Sequence, residues 1–377
     1  MNLAPNTMVL ADDFTSAAEV AAVALRHGLA AQVVRDKFTA ADEATLTVCD
    51  TDTRSLAPAQ AARVVAAVAA AISPGPLLYK KIDSVLRGPV RAEIEALLMS
   101  RRLRRAVIVP QNPSMGRVIV DGKYQIAGVD LSRTAFGHDP QHPARTSDVL
   151  ALLGGGELPI AYCQEPQLLP QDGLVVCGGN TQEHLLSWAA AAGLDESTLA
   201  AGGAEFFAAV LQRRGCRPRP LESAPPRLEG SVLCVCGSTS LQSRDALQTA
   251  AARGAPLLSM PEAQEARRFM QTHGRAILST PAQSGSAAPR DLERQMAELV
   301  AAILGDYGVD WLLIEGGATA SAILRQLQWD RFGVVAEFSP GVAHLRPAGG
   351  EVNLVVKPGS YGWPGAIWNQ LIRPVSR

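Results

Sequence analysis

The chain has 377 residues, 47% of them apolar and 19% charged, with 35 basic against 36 acidic side chains and a formal net charge of −1. That length exceeds what one hydrophobic core usually serves, so two domains are expected, and the apolar content excludes disorder across the whole chain. The balanced charge argues against a nucleic-acid partner, no apolar run reaches membrane-spanning length, and six scattered cysteines suit buried thiols in a reducing cytoplasm.

In chain order, short apolar runs at 7–10, 31–34, 45–49, 77–79, 106–109 and 174–177 alternate with helical patterns, the form of a doubly wound α/β sheet. The first run opens into Ala11-Asp12-Asp13-Phe14-Thr15, and Ser16 with Glu19 stands at the spacing of a capping box for the helix that follows. The fourth opens into Lys80-Lys81-Ile82-Asp83-Ser84-Val85-Leu86-Arg87-Gly88, after which Pro89 suits a first helical turn and Val90, Ile94, Leu97 and Leu98 form an apolar face. Strand exits border the ligand crevice of such folds, so both charged stretches are expected to face it. Lysine and arginine suit a carboxylate or phosphate, and paired aspartates suit sugar hydroxyls, a metal or proton removal. A sugar acid presents both kinds of group.

Further along, Arg101-Arg102-Leu103-Arg104-Arg105 reads as the basic end of a helix. Pro110 to Arg117 is a loop fixed by two prolines, where Arg117 is a third candidate for a carboxylate contact. His138 and His142 lie beside prolines in an expected loop and receive no catalytic role. The proline-rich stretch 215–230 reads as a linker between a first domain, 1–214, and a second, 231–377.

The second domain repeats the α/β pattern, with strands expected at 231–236, 256–259, 276–279, 311–314, 333–338 and 352–356, and helices near 241–253, 291–304 and 320–327. Cys234 and Cys236, in one expected strand, are placed on opposite faces, which makes them poor partners for one metal ion. Residues 280–289 read as a mobile surface loop. Three small-residue turns follow strands: Gly237-Ser238, Gly316-Gly317-Ala318-Thr319 and Lys357-Pro358-Gly359. Their backbone amides suit a phosphate, although neither a G-x-G-x-x-G nor a P-loop is present.

Taken together, these motifs resemble the four-carbon acid sugar kinase family, over nearly the whole chain. The carriers are Ala11 to Thr15, Lys80 to Ser84 with Leu86-Arg87-Gly88, Gly116-Arg117, Gly237-Ser238, Gly316-Gly317 with Thr319, and Lys357-Pro358-Gly359. The resemblance implies two α/β domains with mostly parallel sheets and an interdomain cleft, the first domain binding a sugar acid and the second ATP with Mg²⁺. The implied reaction is phosphorylation of the terminal hydroxyl of a threonate, an erythronate or a 3-oxo-tetronate. Asp12, Asp13, Lys80 and Asp83 are its expected catalytic residues, Lys81, Arg87 and Arg117 its substrate contacts, and Ser238, Gly316, Gly317, Ala318, Thr319 and Gly359 its nucleotide contacts. A cytoplasmic enzyme is implied, without nucleic-acid or membrane partners and with a homodimer allowed. Ala318 stands where the family usually has an acid, Ser16 replaces a usual glycine, and Gly178-Gly179-Asn180 replaces a usual Asp-Ala pair. The Ala318 change keeps a non-catalytic sensor as the alternative, while a Schiff-base role for Lys80 or Lys81 is disfavoured because Asp83 should hold a lysine charged.

Overall fold

Alternation of short apolar runs with amphipathic helices produces two α/β units, Met1–Arg219 and Pro220–Arg377. The structure is a computed structural model that describes residues 7–35, 46–73, 77–139, 141–192, 197–220, 227–238, 240–281 and 288–373, Leu241 by its backbone alone. The expected linker and the expected loop at 280–289 lie partly outside the described residues, at 221–226 and 282–287.

The first unit is built on eight parallel strands: β1 (Thr7–Ala11), β2 (Ala31–Arg35), β3 (Leu46–Asp50), β4 (Leu78–Lys81), β5 (Arg105–Val109), β9 (Ile160–Cys163), β10 (Gly173–Cys177) and β11 (Thr198–Gly202). Their order across the sheet is β2-β3-β1-β4-β11-β5-β10-β9. A small antiparallel sheet of β6 (Arg117–Val120), β7 (Lys123–Ile126) and β8 (Val129–Asp130) accompanies them. Asp121 and Gly122, both at positive φ, make the tight turn from β6 to β7, so the Gly-Lys stretch at 122–123 is a hairpin.

The helices of this unit are α1 (Phe14–Arg26), α2 (Pro58–Ala71), α3 (Val90–Arg101), α4 (Val149–Leu153), α5 (Gln182–Ala191) and α6 (Ala204–Arg213). Helix α1 packs against α6, and α2 against α3. Val90, Ile94, Leu97 and Leu98 of α3 join Leu10, Ile82 and Ile108 in one core. Strand β1 has β3 on one side and β4 on the other, and the crevice at the carboxyl end of such a switch point is where ligands bind in α/β sheets.

The second unit orders its strands β13-β14-β12-β15-β18-β17-β16. These are β12 (Val232–Cys236), β13 (Leu257–Ser259), β14 (Arg275–Ser279), β15 (Trp311–Glu315), β16 (Arg331–Ser339), β17 (Val342–Pro347) and β18 (Asn353–Lys357), with β16 and β17 antiparallel. Helices α7 (Leu241–Ala252), α8 (Ala263–His273), α9 (Pro289–Tyr307), α10 (Gly317–Gln326) and α11 (Gly365–Leu371) complete it. Among the described residues no helix is long and apolar enough to cross a membrane.

Three expectations need correction. Residues two apart on a strand share a face, and Cys234 and Cys236 accordingly lie in one core with their sulfurs 3.9 Å apart. The cap of α1 is Asp13, in extended backbone, whose Oδ1 accepts from the Ser16 amide at 2.7 Å, so Ser16 and Glu19 form no capping box. Lys80 and Lys81 belong to β4 itself and do not follow it, for the reason given below.

Candidate functional site

Because β3, β1 and β4 are neighbours, their exits lie side by side, and each contributes charge. Asp12 and Asp13 come from the first strand, Arg54 from the loop after β3, and Asp83 and Arg87 from the loop after β4. Arg54 is the hub. Its guanidinium grips Asp12 through two bonds of 2.7 Å, donates to Asp13 Oδ2 and to Ser16 Oγ at 2.9 Å, and lies 3.7 Å from Asp83. The side chain is only 14% exposed, so these charge-assisted bonds act at low dielectric.

The loops show why this backbone is unusual. Asp52 and Leu86, with φ of 48° and 63°, hold left-handed conformations that side chains other than glycine rarely adopt. Gly88, also at positive φ, lies so close to the Arg54 loop that a methyl group there would come to 2.9 Å from the Arg54 carbonyl oxygen. Strain of this kind persists where surrounding contacts enforce it, which is common at binding sites.

Asp83 accepts from the amides of Val85 and Arg87 and from the Arg87 guanidinium at 2.8 and 3.0 Å. Burial alone would raise its carboxyl, yet Arg87 and Arg54 hold it well below the ordinary value. Burial likewise opposes ionisation of Asp12, and Arg54, assisted by Lys80 and Lys81, brings it below the usual range. Both acids are therefore carboxylates at neutral pH. Arg87 and Arg117 both lie over the Phe136 ring, at 5.4 and 5.6 Å, and Arg117 also donates to Ser84 Oγ at 2.6 Å. Arg54 and Arg87 thus bind the acids, and Arg117 stands beside Arg87 on Phe136.

Lys80 and Lys81 are adjacent strand residues and point to opposite faces of the sheet. Lys80 is fully buried against Glu93 of α3 at 2.8 Å, and Lys81 against Glu19 of α1 at 3.1 Å with Ser16 Oγ beside it. Each charge is tolerated inside the strand because a helix packed on that face supplies its counter-ion; removing one partner of such a pair typically costs about 3–5 kcal/mol. Asp83 is not their partner, contrary to the expectation from sequence. The lysines lie beneath the cluster and contribute its field, which Asp12 feels.

The exits of the adjacent strands β12, β15 and β18 meet in the second unit. The Gly237 amide donates to Glu315 O at 3.3 Å and the Gly316 amide to Lys357 O at 3.0 Å, while Ser238 and Ser240 hydroxyls donate to Gly359 O at 3.4 and 2.9 Å. Gly316, at φ 102°, leads into α10, whose first turn has no side-chain cap and so leaves amides of Gly317, Ala318 and Thr319 available to an anion. Ala318 is exposed and Thr319 buried against Gly237. Below the turns, Lys357 pairs with Glu315 at 2.9 Å and holds the last loop by donating to Tyr361 O at 2.6 Å.

Arg54, Ser16, Glu19 and Glu93 were not singled out as site residues by the sequence reading. Arg54 had a signal, since Asp50-Thr51-Asp52-Thr53-Arg54 crowds charge at a strand exit as the two chosen stretches do.

A family model described as a sugar-binding amino-terminal domain matches residues 7–210, and one described as a nucleotide-binding carboxy-terminal domain matches 233–367. The chain belongs to the four-carbon acid sugar kinase family. This family member is 28% identical to a D-threonate kinase of Bordetella bronchiseptica over 95% of both chains. It is 24% identical to a 3-oxo-tetronate kinase of Brucella melitensis over 94% of this chain and 92% of that one. A D-threonate kinase of Salmonella typhimurium is 33% identical over 160 residues, 41% of this chain and 37% of the relative. The fold of the family member is shared with a Haemophilus influenzae protein of known structure, at a TM-score of 0.71 and 19% identity over 97% of this chain and 98% of that one.

Proposed function

We propose that the protein is an ATP-dependent kinase that phosphorylates the terminal hydroxyl of a four-carbon sugar acid of the threonate, erythronate or 3-oxo-tetronate type. The observation that carries this reading is the convergence of Asp12, Asp13, Asp83, Arg54 and Arg87 at three neighbouring strand exits, inside the segment matched by the sugar-binding family model. A sugar acid needs cations for its carboxylate and acceptors for its hydroxyls, and both are present within hydrogen-bonding reach of one another.

In this reading Arg87 and Arg117, flanking Phe136, take the carboxylate. Asp12 and Asp13 orient the terminal hydroxyl and accept its proton, and Arg54 holds both carboxylates in register. Asp83 fixes Arg87, while Lys80 and Lys81 stabilise the developing negative charge from beneath without touching substrate. The joined turns at Ser238, Gly316 to Thr319 and Gly359 cradle the phosphates of ATP with backbone amides. Mg²⁺ would be carried by the nucleotide and would neutralise charge on its phosphates.

A coupled ADP-release assay with threonate, erythronate and 3-oxo-tetronate tests the reading: acid-dependent ADP production is expected. Binding of an acid and ATP without turnover would favour a sensor. Asp13→Asn should lower turnover by at least about tenfold with little change in acid binding, and unchanged turnover would remove Asp13 from the proton transfer.

A further inference from the structure

His142 lies in a segment folded back onto the acid and arginine cluster. A short 3₁₀ turn, Ala135–His138, carries Phe136 under Arg87 and Arg117 and leads into Asp139. Asp139 then bends the chain: its Oδ1 accepts from the amides of Gln141 and His142, each at 2.9 Å, and its Oδ2 accepts from Arg87 Nη1 at 3.2 Å. The Ala144 amide donates to Phe136 O at 2.9 Å and closes the fold. The imidazole thereby comes under the charges of Asp139, Arg87, Arg54 and Asp83 together.

In a cluster whose carboxylates and Arg87 guanidinium are paired, His142 Nε2 is buried without a hydrogen-bond partner among the described residues. A buried polar nitrogen left unpaired carries its full desolvation cost, which a hydroxyl arriving with the ligand would relieve. Burial, reinforced by Arg87 and Arg54 against the opposing pull of Asp139 and Asp83, keeps the imidazole below its usual range and hence neutral at pH 7. A neutral imidazole offers one donor and one acceptor, which matches a hydroxyl, whereas the arginines match the carboxylate.

We propose that His142 is a substrate contact whose Nε2 hydrogen-bonds one hydroxyl of the bound sugar acid and so sets which four-carbon acid the site accepts. The inference rests on the kinase reading for its substrate class. Calorimetric titration of threonate, erythronate and their monodeoxy analogues, without nucleotide, together with ADP-release kinetics, tests it. His142→Ala should raise Kd and KM for the preferred acid by about tenfold and leave kcat nearly unchanged. The deoxy analogue lacking the contacted hydroxyl should bind wild type and His142→Ala equally, and His142→Gln should recover most of the lost affinity. A His142→Ala protein that binds every acid as wild type does, or loses affinity for all analogues alike, overturns the contact alone. A wild-type protein that binds no four-carbon acid overturns the kinase reading and the contact with it.

Discussion

The two units build their strand-exit loops from opposite materials. In the first, three loops bring Asp12, Asp13 and Asp83 against Arg54 and Arg87, and paired charged side chains tie the loops to one another. In the second, the loops are glycine and serine, joined by backbone amides and two uncharged serine hydroxyls that all donate to backbone carbonyls, and the Glu315–Lys357 pair sits buried below them. Recognition in the first unit should fail when charge is removed, and in the second when atoms are added.

The largest effect is expected from Arg54→Met. It leaves Asp12 and Asp13 buried without their common partner, which should cost about 3–5 kcal/mol in denaturant unfolding and lower turnover by at least about a hundredfold. An unchanged midpoint would show that the cluster is held by something other than this hub. Gly237→Ala should rank next, because a methyl group there would overlap the Thr319 side chain, an overpacking worth about 1–3 kcal/mol. Its signature is weakened nucleotide binding with sugar-acid binding intact; equal loss of both would erase the contrast between units.

A pH effect ranks next and tests the first unit. Burial of Asp50, with Asp52 and Asp13 adding to it against Arg35, raises its carboxyl from 3.8 to about 7. The folded value exceeds the unfolded one, so the stability Asp50 contributes is complete below about 3.8 and is lost as pH rises through about 7. Melting curves should therefore show the wild-type Tm falling relative to Asp50→Asn between about pH 4 and about pH 7. A constant difference would remove Asp50 from the acid-side balance. The smallest effect is expected from Ser238→Ala, which removes a weak hydroxyl bond to Gly359 O and the acceptor of the Ser240 amide at 3.2 Å, and should cost about 1 kcal/mol and a few-fold in nucleotide KM.

Much of the fold was legible because the alternation of apolar runs with helical periodicity is local. Alanine-rich Thr198–Gly202 escaped as a strand, since alanine favours helix and only burial between β4 and β5 makes it extended. The acids at 12, 13 and 83 were visible because they follow apolar runs, and the glycine turns because positive φ at Gly316 demands that residue. The cap of α1 was misread because Asp13 to Ser16 and Ser16 to Glu19 share one spacing, and only the extended backbone at Asp13 chooses between them.

By itself, then, the amino-acid order determined the α/β class, the two units' strand exits and the chemistry gathered at each, because periodicity, turn residues and charge are properties of short segments. Only the tertiary structure decided that Arg54 joins Asp12 and Asp13 and that Lys80 and Lys81 face Glu93 and Glu19 on opposite sides of a strand. Ion pairing depends on distance in space, and strand order brings together side chains about 40 residues apart along the chain.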